Sequence, residues 1–213
     1  HSANRIDYSA TATTFVAGLA LGASATFIQA DAKVTGLVGA FVGAPVGTTP
    51  SLDATHFVDV NGTLIIRAFS DMDATSRIDN VNASAGLTVG AMKTTATISG
   101  TTRAAVGQGG RILADGLDLD ADGRYDAFAD TFTVNVGGLA VLALADADAR
   151  VTGVVDAHIG ANASSTPSTI LADVNVGAGA VTIDGNGAMS ATPTVTAPAI
   201  SGGVTLSGLR LTS

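Results

Sequence analysis

The 213 residues carry a formal net charge of −8, with 46% hydrophobic side chains, only 4% aromatic ones and no cysteine. The missing cysteine excludes disulfides, thiolate catalysis and Cys-based metal sites, and an acidic chain without a basic stripe excludes a nucleic-acid partner, whose phosphates would need neutralising. Apolar content drawn mostly from Ala, Val, Leu and Ile predicts a thin core between closely spaced sheets, not an aromatic-lined pocket.

All 18 acidic residues are Asp, and Lys33 and Lys93 are the only lysines. Glu and Lys dress exposed helices, whereas Asp, Asn, Gly, Thr and Val favour turns and strands, so the chain reads as almost purely β. The opening HSANRID lacks the basic-then-apolar pattern of a secretory leader. His1 would carry chemistry only as a mature amino terminus able to clamp copper.

The first strong strand signal is the alternating run over 15–27, which puts Phe15, Ala17, Leu19, Leu21, Ala23, Ala25 and Phe27 on one face. The other face is small and weakly polar, so both faces are expected to be covered. Thirteen residues at about 3.3 Å span roughly 43 Å, so the run either bends at its glycines or belongs to a sandwich with long strands.

Next comes VTGLVGAFVG over 34–43, which recurs as ISGTTRAAVG over 98–107 and VTGVVDAHIG over 151–160. The first glycines are Gly36, Gly100 and Gly153 and the second ones Gly43, Gly107 and Gly160, so both sets are spaced by 64 and then 53 residues. Repetition on this scale marks a chain that stacks similar units around one continuous core. The shift of 53 also aligns Leu64, Ile66 and Ala68 with Leu117, Leu119 and Ala121, and a further 64 reaches Val181, Ile183 and Gly185. This period of two places that aliphatic set inward in every unit.

The chain therefore divides into units over about 1–61, 62–114, 115–178 and 179–213, within one repeat domain. The extra 11 residues of the longer units are expected in Thr-Pro-Ser loops near 45–55 and 162–172. The longest apolar run, about 134–145, is too short to span a membrane as a helix, which needs roughly 20 residues. Because it begins and ends inside the repeat pattern, the chain is expected to be a piece of a longer polypeptide. The predicted fold is an all-β repetitive solenoid, with a long-stranded β-sandwich as the alternative.

The Ala-rich strand ADADARVTG over 145–153, followed by VVDAHIGA, resembles the repeat regions of giant exported bacterial proteins. These are the filamentous-haemagglutinin-like and leukotoxin-like filamentous adhesins, and the similarity covers roughly residues 7–185. It implies a right-handed parallel β-helix, a secreted or surface-bound fibre, and a role in adhesion or cell-surface architecture, with no catalytic residues to carry across. The units are longer than a single coil of about 20 residues, which departs from that family's pattern.

The sharpest local motif is Asp118, Asp120 and Asp122 before Gly123, with Asp126 beyond. Alternating carboxylates ahead of a glycine turn resemble a calcium loop, although the bidentate acid expected at the twelfth position is Ala129. In the repeat register the same aspartates fall on outward strand positions, aligned with Ile65, Arg67 and Phe69. His56 near Asp53 and His158 near Asp156 invite an acid-base reading, but no nucleophile elbow or H-E-x-x-H accompanies them. Sequons begin at Asn61, Asn82 and Asn162.

The expectation is a structural, non-enzymatic segment of a bacterial extracellular fibre or adhesin. It needs no cofactor except possible Ca²⁺, continues into further repeats or self-associates, and offers a surface to a cell-surface or glycan ligand. A carbohydrate-binding or carbohydrate-active β-helix module is the alternative, with the Asp118–Asp120–Asp122 cluster supplying its carboxylates.

Overall fold

The computed structural model describes residues 2–43, 56–160 and 172–213, all strand, turn or bend with no helix. In chain order the strands are β1 (Ser2–Ala20), β2 (Ser24–Val42), β3 (His56–Ser84), β4 (Leu87–Val106), β5 (Gly110–Gly137), β6 (Ala140–Val151), β7 (Val154–Ile159), β8 (Asp173–Val176), β9 (Val181–Thr196), β10 (Ala199–Ser201) and β11 (Val204–Thr212). They fall into two sheets. Sheet A holds β1, β3, β5 and β8 to β10, and sheet B holds β2, β4, β6, β7 and β11. Every pairing is parallel. The chain thus crosses from sheet A to sheet B and back in each unit, an arrangement compatible with a β-helix or solenoid.

Register follows the repeat. In sheet A, Ser2 lies opposite Ile66, Leu64 opposite Leu117 and Leu117 opposite Val181, offsets of 64, 53 and 64. Sheet B repeats them through Ser24 with Thr88, Thr88 with Val141, and Val141 with Thr205. The offset is 64 at Val42 with Val106 but 54 at His56 with Gly110, so ten of the eleven extra residues fall between Val42 and His56. The last lies at a bulge between Val60 and Thr63. In the later long unit the offset climbs from 53 at Ile159 to 62 at Asp173 and 64 at Val181. The Thr-Pro-Ser segments themselves lie outside the described residues.

The main core cluster is shared by both sheets, and Ala30, Ile78 and Met92 form a smaller second one. The main cluster is built mainly from Ala, with Ile66, Met72, Ile98, Leu117, Leu119 and Tyr125 as its larger members. Leu64 packs against this cluster and Leu117 lies in it, whereas Val181 and Ile183 keep the register but remain 49% and 46% exposed on β9. Among the described residues no further strand covers β9 on its far side.

The recurring first glycines answer to one column of large side chains. Tyr8, Met72, Tyr125 and Met189 are register partners along sheet A. An added Cβ on Gly36, Gly100 or Gly153 of sheet B would meet Tyr8, Met72 or Tyr125 respectively. Both tyrosines and two of the three methionines are spent on this column. Tyr125 is fully buried; its hydroxyl pairs with Thr102 Oγ1 at 2.7 Å and donates to the Val154 carbonyl at 3.3 Å.

The second glycines have a backbone role instead. Gly43 and Gly160 adopt φ of 93° and 91°, a left-handed conformation that glycine enters without steric cost. In the short unit Gly109, with φ of 71°, takes that role in place of Gly107.

The 15–27 run bends at one of its glycines, as one of the two alternatives has it: Leu21, Gly22 and Ala23 lie between β1 and β2. The expectation that both of its faces are covered is corrected. Its large side chains point outward, leaving Phe15 69%, Leu19 88%, Leu21 95% and Phe27 75% exposed. The inward positions on those rungs belong to the small, weakly polar set.

Gly153→Val is expected to cost about 1–3 kcal/mol by overpacking against Tyr125. Gly22→Ala, whose new methyl meets nothing within 4 Å, should leave stability unchanged. Urea unfolding midpoints of the two variants check the contrast.

Candidate functional site

Charged residues concentrate on the outer face of sheet A, because that face alternates with the apolar one along each strand. On β5 the outward series runs Asp118, Asp120, Asp122, Arg124, Asp126, Phe128, Asp130, while Leu119, Ala121, Tyr125 and Ala127 point into the core. The four aspartates proposed as calcium ligands therefore lie on an extended strand. Their register partners are Ile65, Arg67, Phe69 and Asp73 on β3, and Thr182, Asp184, Asn186 and Ser190 on β9.

Successive outward residues on a strand lie about 6.6–6.8 Å apart, so these carboxylates do not close around one point. Arg67 bridges the first two: its Nη2 donates to Asp118 Oδ2 at 2.9 Å, and its Nε lies 3.5 Å from Asp120 Oδ2. Asp126 instead accepts a hydrogen bond from Arg124 Nε at 2.7 Å. Among the described residues no group of three or more His, Asp or Glu side chains is placed to hold a metal ion.

The same pairing recurs across the molecule. Arg77 Nε donates to Asp79 at 2.9 Å and Arg150 Nε to Asp148 at 2.8 Å, each two residues apart on one strand. Most of these pairs are exposed, and an exposed pair contributes roughly 0–1 kcal/mol. Their effect is to keep a mainly acidic face from repelling itself.

Where the compensation is incomplete, proton affinity rises. The Asp73 carboxyl is pushed above its ordinary 3.8 by partial burial, then by Asp71 and Asp126, against the opposing pull of Arg124. Asp120 is raised by burial and by Asp118, Asp122 and Asp184, with Arg67 working the other way. Asp130 is raised by burial and Asp79, opposed by Arg77.

The histidines sit apart from these. On β7, Asp156 Oδ2 accepts from Arg103 Nε at 2.9 Å and lies 3.1 Å from His158 Nδ1, although neither His158 nitrogen is aligned for a hydrogen bond. His56 begins β3, exposed, with its backbone N–H donating to the Gly109 carbonyl at 3.1 Å. Asp53, Asn162 and His1 lie outside the described residues. The structure therefore brings together Asp156 and His158 but adds the Arg103 guanidinium on the same carboxylate.

The Asn82 sequon is corrected by burial. Asn82 is 1% exposed, donates from Nδ2 to Thr26 Oγ1 at 3.0 Å and accepts from Ser24 Oγ at 2.9 Å, so the folded chain offers no access to it. Asn61 is exposed beside the bulge.

A further feature escaped the sequence reading. Near the turns from sheet A to sheet B the interior is polar: Asn80, Asn82, Thr88, Thr131, Thr133 and Asn135 are all 0–1% exposed. They are linked by Asn80 Nδ2 to Thr133 Oγ1 at 2.9 Å and Asn135 Nδ2 to the same oxygen at 3.0 Å. The outside of this end is apolar, with Phe15, Leu19, Phe27, Leu87, Leu139, Leu144, Ile200 and Leu206 all at least 44% exposed. Strand parity could have shown it, since Phe15 shares a face with Arg5, Asp7, Thr11 and Thr13.

Comparison with protein-family models, curated proteins and solved structures finds no match to this chain. The molecule combines an ion-paired acidic face, a polar-cored end with an apolar exterior, and parallel register throughout its two sheets.

Two outcomes follow from the charges. Each raised carboxyl binds its proton more tightly folded than unfolded, so its contribution favours folding below 3.8 and is lost as pH rises through the higher folded value. Asp73→Asn should therefore raise stability at pH 7 by about half a kcal/mol or less, solvent screening included, and the gain should disappear at pH 3 in paired urea titrations. Calcium, facing spread carboxylates already engaged by Arg67 and Arg124, should bind with Kd on the order of millimolar or weaker, as read by isothermal calorimetry.

Proposed function

We propose that the chain is a structural, non-enzymatic segment of a bacterial extracellular fibre or surface adhesin. In this reading it is a right-handed parallel β-solenoid in which each unit forms one large coil, laying one strand in each sheet. The observation that carries the reading is continuity. The same columns of side chains run through every unit of both sheets at offsets of 64, 53 and 64 residues.

Stacking of this kind has no natural stopping point in its hydrogen bonding. Among the described residues, β1 and β2 pair on one side only, as do β9 and β11, and a parallel strand edge offers backbone donors and acceptors to a further strand. The side chains at these margins fit continuation. A strand placed beyond β9 in register would set its inward residue on Met189, where alternation along the column asks for another tyrosine. Extracellular placement is supported by the resemblance of residues 145–160 to the repeats of exported bacterial proteins.

The test is the native material under the electron microscope, with fibre diffraction from aligned samples. The expected outcome is elongated particles with a reflection of about 4.7–4.9 Å along the long axis, the spacing of strands stacked across it. Compact particles of a single size, without that reflection along any long axis, would exclude the reading.

A further inference from the structure

The apolar exterior at the sheet A to sheet B turns covers both outer faces, and the two faces differ in what they can meet. On sheet B, register partners along the stack read Phe27, Ala91, Leu144, Gly208 on one rung and Ala25, Val89, Leu142, Leu206 on the next. The first rung alternates large and small, so reversing its order places Phe27 over Gly208 and Ala91 over Leu144. Reversing the second places Ala25 over Leu206 and Val89 over Leu142. The rung nearer the turn sets Leu87 over Ala140 in the same way. A groove of about 370 Å³ already lies along the first rung, lined by Ala91, Leu144 and Gly208 with Lys93, Asp146 and Arg210 beside it.

Charge follows the same reversal. The neighbouring polar rung reads Gln29, Lys93, Asp146, Arg210, so reversal sets Lys93 against Asp146 and Arg210 against Gln29. The one after it, Asp31, Thr95, Asp148, Thr212, sets each aspartate against a threonine. Reversed stack order with unchanged strand position is what a two-fold axis parallel to the strands produces between two facing sheets.

We infer that the outer face of sheet B docks a second copy of this chain through such a two-fold, with Phe27 of each copy seated over Gly208 of the other. Four strands at about 4.8 Å and five rungs at about 6.8 Å cover roughly 650 Å² of plane, close to the roughly 800 Å² per partner of a standard specific interface. Sheet A does not offer this. Its rungs would set Asp73 against Asp126, Leu19 against Ile200, and Asp79 against Phe132.

This side-by-side pairing is separate from continuation at the strand edges and does not rest on the fibre reading. Edge stacking is head-to-tail and yields an open series of sizes, whereas the two-fold closes at two copies. Sedimentation velocity of the full chain from about 1 to 100 µM should show a dimer. Leu144→Asp, a change at an exposed position, should abolish that dimer while far-UV circular dichroism stays the same. Lys93→Asp should weaken dimerisation at least tenfold, and adding Asp146→Lys should restore it, which keeps the test decisive if Leu144→Asp does not fold.

Crosslinking separates the two modes. The chain has no native cysteine, and Ala25 and Leu206 lie three strand spacings apart, roughly 14 Å, beyond disulfide reach within one molecule. Oxidised Ala25→Cys/Leu206→Cys should run as one dimer band. A crosslinked ladder unchanged by Leu144→Asp and Lys93→Asp, a monomer throughout the concentration range, a dimer indifferent to both substitutions, or a monomer that uses this face only to bind phosphatidylcholine vesicles would overturn the assignment.

Discussion

The packing of one large side chain per unit onto a bare stretch of backbone sets the spacing of the two sheets. Tyr8, Met72 and Tyr125 reach across the core to Gly36, Gly100 and Gly153, and more than half of the buried cluster around them is alanine. An interior of Ala, Val and Thr holds two sheets together only if they approach closely, and a ring or thioether fits such a gap only where the facing residue has no Cβ. The recurrence of glycine at 36, 100 and 153 is thus a consequence of recurrence at 8, 72 and 125. Two positions on different sheets repeat together because each is the other's steric boundary, and a change at either alone leaves a hole or a clash.

Beyond that column the molecule reverses its polarity. From Ile78 toward the turn, β3 points Asn80, Asn82 and Ser84 inward, while β5 contributes Thr131, Thr133 and Asn135. A buried polar side chain is tolerable when it is hydrogen-bonded, and here the bonds run between successive repeat units: Asn80 reaches Thr133, and Asn82 reaches Thr26. Hydrophobic burial therefore does little to hold this end, and side-chain hydrogen bonds with the backbone ladder replace it. The apolar residues that would ordinarily fill the interior stand outside, where their only route to burial is another molecule.

The repeat was legible in the sequence because its cause is strict. Offsets of 64 and 53 read from Gly36, Gly100 and Gly153 are the offsets at which strands pair, since register can follow only residues that share an environment. The outward placement of Asp118, Asp120 and Asp122 was legible for the same reason. The orientation of the 15–27 run was not, because both of its faces are apolar or small and hydrophobicity alone cannot orient such a strand. Continuity of parity could have done so, since Asp7 faces water and Phe15 stands eight residues along the same face. The bend at Gly22 was legible as one of two alternatives from the length of the run, although Leu21 and Ala23 continue the alternation through it. The buried state of Asn82 depends on Ser24 and Thr26 from the facing sheet, a contact that no local pattern encodes.

The acidic composition fits this division of labour. The outer face of sheet A alternates Asp with Arg along and across strands, so that Arg67, Arg77 and Arg124 each sit among carboxylates, and the residual repulsion at Asp73 keeps that face from matching a copy of itself. Sheet B carries fewer charges and lets them oppose in reversed order, Lys93 against Asp146. Repulsion on one face and self-complementarity on the other restrict lateral contact to a single side of the stack. In the proposed fibre, a repeat that grows along its axis but closes at two across it would make ribbons of fixed width, and would avoid the sheet-on-sheet aggregation that exposed Phe and Leu on both faces otherwise invite.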